Sequence, residues 1–325
     1  MFSKTRVAVL RGGPSSEYHV SLKTGATVLA HLPEKYYGMD VFIDPEGNWH
    51  CQGKREEPHK ILMRVDVVWN ALHGEYGEDG TVQHLLESHA IPFSGSRRMG
   101  AAFSMNKAFS KKLVQEAGMK TPHFKLLRSE DIQSIKTLAA ELYRTFPQPC
   151  IVKPAAKGSS IGVSLAQTTD ELVAALTAAF SISDTVIVEE FIEGREAMCG
   201  IVEGFRDTLH YPLLPVEIVS GGSRFLDFET RYGGEAKHRC PGGFTVEEKQ
   251  ELQRLATEIH KMLGLRHYSR SEFIVHPRRG IFFLEADALP DLHEGVSPYL
   301  QSLHAVGSSI PHFLDHVLQL ALDKK

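Results

Sequence analysis

The stretch from Tyr268 to Asp291 constrains this chain more than any other, because it sets charged residues into an apolar pattern. Two apolar runs flank Pro277-Arg278-Arg279-Gly280, which predicts a β-hairpin with these four residues as its turn. Counting back along both strands gives the opposed pairs His276 with Ile281, Glu272 with Glu285, and Arg270 with Asp287. Three carboxylates and one guanidinium are therefore expected on one face of the hairpin.

The other face of this hairpin is predicted to be core. Side chains alternate between the two faces of a strand, so the residues between the charged positions should be buried: Phe273, Val275, Phe282, Leu284 and Ala286. The charged face also carries Ile274 and Phe283, which indicates that it is not simply solvated.

Glu272 and Glu285 indicate a bound cation. Directly opposed like charges destabilise a strand pair, so this pair favours something cationic between the strands. Carboxylate oxygens suit Mg²⁺, which is commonly held by a few carboxylates together with the phosphates of a substrate. The alternative is an exposed strand face with incidental acids.

Composition excludes several classes of protein. A chain of 325 residues predicts two or three domains. The net charge of −4, with both signs interspersed, argues against a nucleic-acid partner. No apolar run approaches the roughly 20 residues that cross a bilayer, so no membrane association is expected. Four separated cysteines without a C-x-x-C motif, and no apolar leader, predict a cytoplasmic protein.

The amino-terminal part predicts a parallel sheet. Strands are expected from Arg6 to Leu10, Tyr37 to Ile43 and Val65 to Ala71, with a glycine turn and a helix from Glu17 after the first. Strands that alternate with helices form parallel sheets, whose ligands bind beyond the carboxyl ends of the strands. Glu17 and His73 would lie there.

A second domain is expected to begin near Met99, and it carries candidate phosphate-binding residues. Lys107 lies on a predicted helix, and Lys153 ends a strand that begins at Cys150. The loop that follows is rich in small residues and includes Lys157, Ser159 and Ser160. Small residues let backbone N–H groups close over an anion, while a lysine supplies a point charge. A flexible hairpin is the alternative.

Two later segments suggest a nucleotide site and a lid. The strand from Thr185 to Glu190 ends in acids beside Phe191, which could form an adenine slot with carboxylates for ribose hydroxyls. A surface strand end is the alternative. The polar segment from Gly221 to Pro241 has the length of a lid and contains Arg231 and Tyr232.

Seven motifs carry a family resemblance: RGGPSSEYHVSL, HGEYGEDG, MNKAFSKK, IVKPAAKGSSIGVS, VEEFIEGRE, FLDFETRY, and SRSEFIV with FLEAD. In this order they resemble the D-alanine–D-alanine ligases of the ATP-grasp superfamily, over essentially the whole chain. The resemblance implies α/β and α+β architecture in a three-domain ATP-grasp fold. Residues 1–98 would form a Rossmann-like (pre-ATP-grasp) amino-terminal domain, 99–185 a central ATP-grasp domain, and 186–325 a carboxy-terminal ATP-grasp domain with the metal site and lid.

The implied activity is the joining of two D-alanine molecules through an acyl phosphate, for peptidoglycan precursor synthesis. ATP and two Mg²⁺ or Mn²⁺ ions are the implied cofactors, and a homodimer is the implied assembly. The residues implied at the ATP and metal positions are Lys107, Lys153, Lys157, Ser159 and Ser160 at the phosphates, Glu189, Ile192 and Glu196 at the adenosine, Arg231 in the lid, and Glu272, Glu285 and Asp287 on the metal.

The resemblance also implies residues for the amino-acid substrates. Glu17 would bind the ammonium of the first D-alanine, His73 would lie near its carboxylate, and Arg270 would stabilise the acyl phosphate. Ser159 and Tyr232 would link to Glu17 and close the lid, and the second D-alanine would meet the segment that contains Asp291 and Ser297.

The segment after Pro290 departs from the family pattern P-G-x-T-x-x-S. Asp291 stands where the family has glycine, and Val296 stands at the hydroxyl position unless one extra residue lets Ser297 take its place. The added acids Asp291 and Glu294 match an incoming carboxylate poorly. Glu272 and Asp287 also replace the usual Asp and Asn. Two alternatives therefore stay open: ligation of D-alanine to a different second substrate, and a nucleotide-binding protein that has lost catalysis.

Overall fold

A computed structural model describes residues 4–155, 162–219 and 237–323, and it is a mixed α/β structure with three sheets. Its helices are α1 (Tyr18–His31), α2 (Pro58–Leu62), α3 (Thr81–Ser88), α4 (Arg98–Met105), α5 (Lys107–Glu116), α6 (Ile135–Thr145), α7 (Thr169–Ile182), α8 (Val246–Met262), α9 (Pro298–Ala305) and α10 (Ile310–Leu322). Within the described ranges, no helix combines the length and apolar character needed to cross a membrane.

The amino-terminal sheet has the order β4-β3-β2-β1-β5. Its strands are β1 (Thr5–Gly12), β2 (Tyr36–Ile43), β3 (Trp49–Cys51), β4 (Lys54–Arg55) and β5 (Val67–Asn70). The predicted parallel pairing is confirmed for β1 with both β2 and β5, whereas β3 and β4 add an antiparallel edge. The carboxyl ends of β1 and β5 therefore lie side by side, next to Glu17 and His73.

The carboxy-terminal helix α10 completes this amino-terminal sheet. The ring of Phe313 on α10 meets that of Trp69 on β5, with centroids 6.1 Å apart. The Tyr36 hydroxyl donates a hydrogen bond of 2.7 Å to Asp315. The two ends of the chain therefore share one core.

The central sheet has the order β6-β9-β7-β8 and is antiparallel. Its strands are β6 (Phe124–Arg128), β7 (Cys150–Pro154), β8 (Ser164–Ala166) and β9 (Thr185–Glu190), and α6 and α7 pack on one face of it. Ile151 pairs with Glu189, and Lys153 pairs with Ile187. This register makes Lys153 and Glu189 diagonal neighbours on the same face of the sheet.

The carboxy-terminal sheet carries the hairpin. It has the order β13-β12-β10-β14-β15, with β11 also paired to β10. Its strands are β10 (Arg195–Phe205), β11 (Thr208–Pro212), β12 (Val216–Val219), β13 (Lys237–Arg239), β14 (Tyr268–His276) and β15 (Gly280–Asp287). Helix α8 packs on one face, and the opposite face carries the charged residues. The predicted lid, Gly221 to Pro241, contains β13, and its residues 221–236 lie outside the described ranges.

A β-bulge corrects the predicted hairpin. The register confirms Glu272 opposite Glu285 and Arg270 opposite Asp287, but His276 pairs with Gly280 rather than with Ile281. The register shifts between Glu272 and Phe273, which leaves Leu284 as the extra residue.

The bulge also exchanges the faces of three side chains on β15. Phe283 lies in the core with Phe273, while Phe282 and Leu284 pack with Ile274 on the charged side of the hairpin. The predicted faces of Phe282, Leu284 and Phe283 were therefore wrong, because strict alternation does not continue through a bulge.

Candidate active site

The charged face of the hairpin is buried at Arg270 and Glu272 and half-buried at Glu285 and Asp287, so it is not simply solvated. Glu272 is 4% exposed and Arg270 is 8% exposed, which excludes the alternative of an exposed strand with incidental acids. Arg270 Nε lies 2.5 Å from Asp287 Oδ2, and its Nη2 lies 3.6 Å from Glu272 Oε1. One guanidinium thus compensates two carboxylates.

Lys107 adds a second cation to this face. The residue opens α5, whose amino terminus is capped by Asn106 accepting the N–H of Phe109 at 3.1 Å. Lys107 Nζ lies 2.8 Å from Glu285 Oε2. Burial lowers the pKa of Lys107, but the charge and hydrogen bond of Glu285 together with the charges of Asp287 and Glu17 outweigh burial, and the pKa is raised. The lysine is therefore held as a cation beside the carboxylates.

By their chemistry, the three carboxylates of this face are candidate ligands for a divalent metal ion. They are hard oxygen donors on one buried face, the chemistry that Mg²⁺ prefers. Burial raises the pKa of Asp287, Arg270 lowers it, and the negative charges of Glu285 and Glu272 raise it further. A divalent cation would offset both effects that raise this pKa, the burial of the carboxylate and the neighbouring negative charges. Glu272, Glu285 and Asp287 are therefore suited to hold such an ion.

Glu189 lies between two lysines at the edge of this face. Its Oε2 is 2.9 Å from Lys153 Nζ, and its Oε1 is 3.1 Å from Lys111 Nζ. The acid is 2% exposed, so the alternative of a surface strand end is wrong for Glu189. Burial raises its pKa, but the two lysines outweigh that effect and lower it. Glu189 is therefore ionised and holds two cations where ATP phosphates are expected.

Lys111 is not among the residues that the sequence predicts for the site. It is fully buried, and its Nζ also donates to Thr121 Oγ1 at 3.1 Å. Burial lowers its pKa to about 8 despite the opposing charge of Glu189. The sequence pattern could have indicated Lys111, because residues four apart on a helix share a face and Lys111 follows Lys107 by four positions.

A small apolar cluster lies where the sequence predicts an adenine slot. It consists of Ile192, Ile274 and Phe282, with Leu284 packed against them. Ile192 comes two residues after the end of β9. Glu196 lies on β10 opposite Ile274 in the register. An apolar surface next to buried carboxylates and lysines suits a nucleotide.

A second group of acids surrounds His73. Ligand atoms of Glu17, His73 and Glu78 all lie within 4.8 Å of one another. Glu78 accepts the N–H of Gly74 at 2.7 Å. Burial and the negative charge of Glu17 raise the pKa of Glu78 well above its usual range. The sequence predicts Glu17 and His73 here but not Glu78, although the motif HGEYGEDG contains it.

His73 is neutral in the folded protein. Its Nε2 lies 2.9 Å from Thr24 Oγ1 on α1. Burial lowers its pKa to about 4, with the charges of Asp291 and Arg270 acting in opposite directions. A neutral imidazole can donate or accept a hydrogen bond near a carboxylate without adding a charge.

The segment from Pro290 to Ser297 packs against Arg270 and α1. Asp291 Oδ2 lies 3.5 Å from Arg270 Nη1, and the Leu292 N–H donates to Thr24 Oγ1 at 3.2 Å. The backbone of Asp291 does not adopt the left-handed conformation, so a non-glycine residue is accommodated without strain. Its carboxylate brings a further negative charge to the guanidinium that also pairs with Glu272 and Asp287.

Ser297 has a defined structural role. Its Oγ donates to the carbonyl of Asp291 at 2.7 Å and accepts the N–H of Leu300 at 3.3 Å, capping α9. The structure thus ties Ser297 to Asp291 from within the segment. Helix α9 was not predicted, although serine followed by proline is a typical helix start.

The described residues place most of the predicted site together. Glu17, His73, Arg270 and Asp291 lie where the sequence predicts the amino-acid substrates, and Lys107, Lys153, Glu189 and the three hairpin carboxylates lie where it predicts the nucleotide and the metal. Ile192, Glu196 and Ser297 are described above, whereas Lys157, Ser159, Ser160, Arg231 and Tyr232 lie outside the described ranges.

The fold and this site define a nucleotide-dependent ligase of the ATP-grasp type. Two family models match the chain, "D-ala D-ala ligase N-terminus" over residues 6–62 and 50–96 and "D-ala D-ala ligase C-terminus" over residues 113–319. The chain belongs to the D-alanine–D-alanine ligase family.

Relatives and solved structures agree with this assignment. A D-alanine–D-alanine ligase of Pelotomaculum thermopropionicum is 33% identical over 324 residues, 98% of this chain and 97% of the relative. One of Geobacter sulfurreducens is 35% identical over 291 residues, 89% and 85% of the two chains. VanG D-Ala:D-Ser ligase from Enterococcus faecalis has a TM-score of 0.83 at 27% identity, and the match covers 98% of this chain and 100% of the other. D-alanyl-alanine synthetase A from Vibrio cholerae has a TM-score of 0.85 at 23% identity, covering 100% of both chains, and shows the fold alone.

The depressed pKa of His73 predicts a pH-dependent stability. Its folded pKa of about 4 lies below the ordinary value of 6.5, so the unfolded chain binds the extra proton in this window. The contribution of His73 is present above about pH 6.5 and is lost as the pH falls towards 4, on the order of 3 kcal/mol in total.

Urea unfolding of the parent and of His73→Asn between pH 7 and pH 4 measures this contribution. The variant should lose less stability than the parent over that range. His84→Asn, an exposed histidine on α3, is the control and should follow the parent. Identical pH profiles for the parent and His73→Asn would contradict the assignment of a depressed pKa to His73.

Proposed function

We propose that this site joins two molecules of D-alanine to D-alanyl-D-alanine while ATP is converted to ADP and phosphate, a step of peptidoglycan precursor synthesis. One observation carries the proposal: the buried hairpin face that combines Glu272, Glu285 and Asp287 with Arg270 and Lys107. Phosphoryl transfer needs positioning and charge neutralisation, and this face offers both in a chain that belongs to the ligase family.

Lys107 and Lys153 would bind the phosphates of ATP. Lys111 would hold Glu189 in place beside Lys153. The apolar cluster at Ile192 would receive adenine, with Glu189 and Glu196 at the ribose. Glu272, Glu285 and Asp287 would hold Mg²⁺ or Mn²⁺, two ions in this proposal. When bound, the metal neutralises charge on the phosphates.

The chain's own residues would handle the two amino acids. Glu17 would bind the ammonium of the first D-alanine, and neutral His73 would lie beside its carboxylate. That carboxylate attacks the γ-phosphorus of ATP and ADP leaves, which forms the acyl phosphate. The amine of the second D-alanine, having lost a proton, then attacks the carbonyl carbon, and phosphate leaves as the peptide bond forms. Arg270 would stabilise the negative charge that develops at the carbonyl oxygen and the phosphate.

Asp291 and Ser297 would border the second D-alanine. The carboxylate of Asp291 lies 3.5 Å from Arg270, so it reduces the positive charge available to an incoming carboxylate. The relatives from Pelotomaculum thermopropionicum and Geobacter sulfurreducens are both named D-alanine–D-alanine ligases, so a different second substrate is not favoured.

The remaining proposals rest on the family resemblance. Lys157, Ser159 and Ser160 would cover the phosphates, and Ser159, Arg231 and Tyr232 would complete the closed lid. Three separate sheets support a division into three domains. The predicted boundary between residues 99–185 and 186–325 falls inside β9, which belongs to the central sheet, so the central domain would extend at least to residue 190. A homodimer in the cytoplasm completes the proposal.

Incubation with D-alanine as the sole amino acid, ATP and Mg²⁺ tests the activity. Phosphate release should depend on D-alanine, and mass spectrometry should identify D-alanyl-D-alanine. Lys153→Ala should lower kcat/KM for ATP about tenfold or more, since it removes a phosphate contact worth at least 1.4 kcal/mol.

Lys112→Ala is the matched control for this substitution. Its side chain is 73% exposed on the same helix as Lys111, so this variant should behave as the parent does. No dipeptide from the parent would refute the activity, and equal kinetics for Lys153→Ala and the parent would refute the phosphate contact.

The negative charge of Asp291 predicts a handicap towards the second substrate. Asp291→Gly removes both the charge and the side chain near Arg270. It should therefore raise kcat/KM for the second D-alanine roughly tenfold, about 1.4 kcal/mol, and leave the KM for ATP unchanged.

Glu294→Gln provides the control, since this exposed acid in the same segment pairs with His31 at 3.0 Å. Its acceptor kinetics should stay within about twofold of the parent. A fall in dipeptide formation on Asp291→Gly would show instead that Asp291 positions Arg270 for catalysis.

A further inference from the structure

A second cluster of ligating side chains lies on the other face of the carboxy-terminal sheet. Arg270 and Ser269 are neighbours on β14, so their side chains point to opposite faces. Behind Ser269 lie Glu203, His210 and His260, whose ligand atoms are all within 4.8 Å of one another. The proposed ligation uses none of these residues.

Three separate elements fix this cluster. Glu203 on β10 pairs directly with His210 on β11. The turn between these strands has positive φ at both central residues, Arg206 and Asp207, as a tight two-residue hairpin requires. His260 comes from the last turn of α8 and is fully buried. The backbone therefore fixes the position from which each of the three side chains extends.

The distances fit one small cation. Glu203 Oε1 lies 3.3 Å from His260 Nε2 and 3.8 Å from His210 Nδ1. Ligands about 2.1 Å from a tetrahedral zinc ion are roughly 3.4 Å from each other. The cluster thus needs only a small adjustment to coordinate a metal.

Two outer contacts orient the ligands. His260 Nδ1 lies 2.7 Å from Ser269 Oγ, which can accept an Nδ1 proton and leave Nε2 with its lone pair towards the cluster. Glu203 Oε2 accepts the N–H of His267 at 2.6 Å, so Oε1 remains directed at the histidines. Metal-binding histidines and carboxylates commonly have such partners.

His210 distinguishes a metal site from an ion pair. A protonated His260 paired with Glu203 would account for those two residues alone. His210 Nδ1 is enclosed and makes no hydrogen bond to any residue in the described ranges. A cation shared by the three side chains would satisfy this nitrogen.

We propose that Glu203, His210 and His260 bind a divalent transition-metal ion, preferably Zn²⁺. Water or another ligand would occupy the fourth coordination position. Imidazole with one carboxylate favours Zn²⁺, Co²⁺ or Ni²⁺ over Mg²⁺, which prefers oxygen ligands. Glu203 and His210 are 21% and 16% exposed, so the fourth position can reach solvent. The ion would tie β10, β11 and α8 together behind the strand that carries Arg270.

Zn²⁺ binding to the untagged full chain tests the proposal, in buffer with millimolar Mg²⁺ to occupy the hairpin carboxylates. One equivalent of Zn²⁺ should bind, and Co²⁺ in its place should give the visible absorption of a low-coordinate site. His210→Asn should weaken this binding at least tenfold. Ser269→Ala, which keeps all three ligands, should weaken it by about 10- to 100-fold.

Two further variants separate this site from other histidines. Two variants should still bind one equivalent of Zn²⁺: His84→Asn, on the surface of α3, and His73→Asn, in the cluster with Glu17 and Glu78. Melting temperatures in EDTA should match for the parent and His210→Asn, while added Zn²⁺ should raise only that of the parent. The proposal is overturned if the parent binds no Zn²⁺ equivalent, if His210→Asn binds it equally well, or if His73→Asn abolishes it.

Discussion

The compensation of buried carboxylates by Arg270 and Lys107 is the interaction on which the rest of the site depends. Carboxylates removed from water are costly unless cations pair with them. Arg270 contacts Glu272, Asp287 and Asp291, and Lys107 contacts Glu285. Because these residues come from the hairpin, from α5 and from the segment after Pro290, one charge network holds three parts of the chain in place. The same network leaves excess negative charge at Asp287, which suits a metal and its phosphates.

The charged pairs of the hairpin could be predicted, but partly through two errors that cancel. Counting from a four-residue turn placed Glu272 opposite Glu285 correctly. The real turn closes one residue earlier, with His276 paired to Gly280, and the bulge at Leu284 then restores the register. A bulge leaves no trace in simple alternation, so Phe282 and Phe283 were assigned to the wrong faces. Helix α10 shows what a local sequence can specify, because Ser309 caps it and Pro311 lies in its first turn.

Partners that depend on tertiary distances could not be predicted. Lys111 could be placed on the same helix face as Lys107, but its contact with Glu189 requires the packing of α5 against the central sheet. The packing of Phe313 on Trp69 joins residues from opposite ends of the chain, and no local pattern encodes it. The family resemblance supplied roles for individual residues, while the structure added Lys111 and Glu78 beside them.

If the hairpin face is the metal and phosphate site, the dependence of ligation on Mg²⁺ should change in Glu285→Gln. Glutamine keeps the size of Glu285 but removes one of the negative charges that would hold the ion. The Mg²⁺ concentration for half-maximal D-alanine-dependent phosphate release should rise about tenfold or more, corresponding to roughly 1.4 kcal/mol. Glu251→Gln, a half-exposed acid that pairs with Arg254 on α8, should leave it unchanged. An unaltered Mg²⁺ requirement in Glu285→Gln would contradict the account.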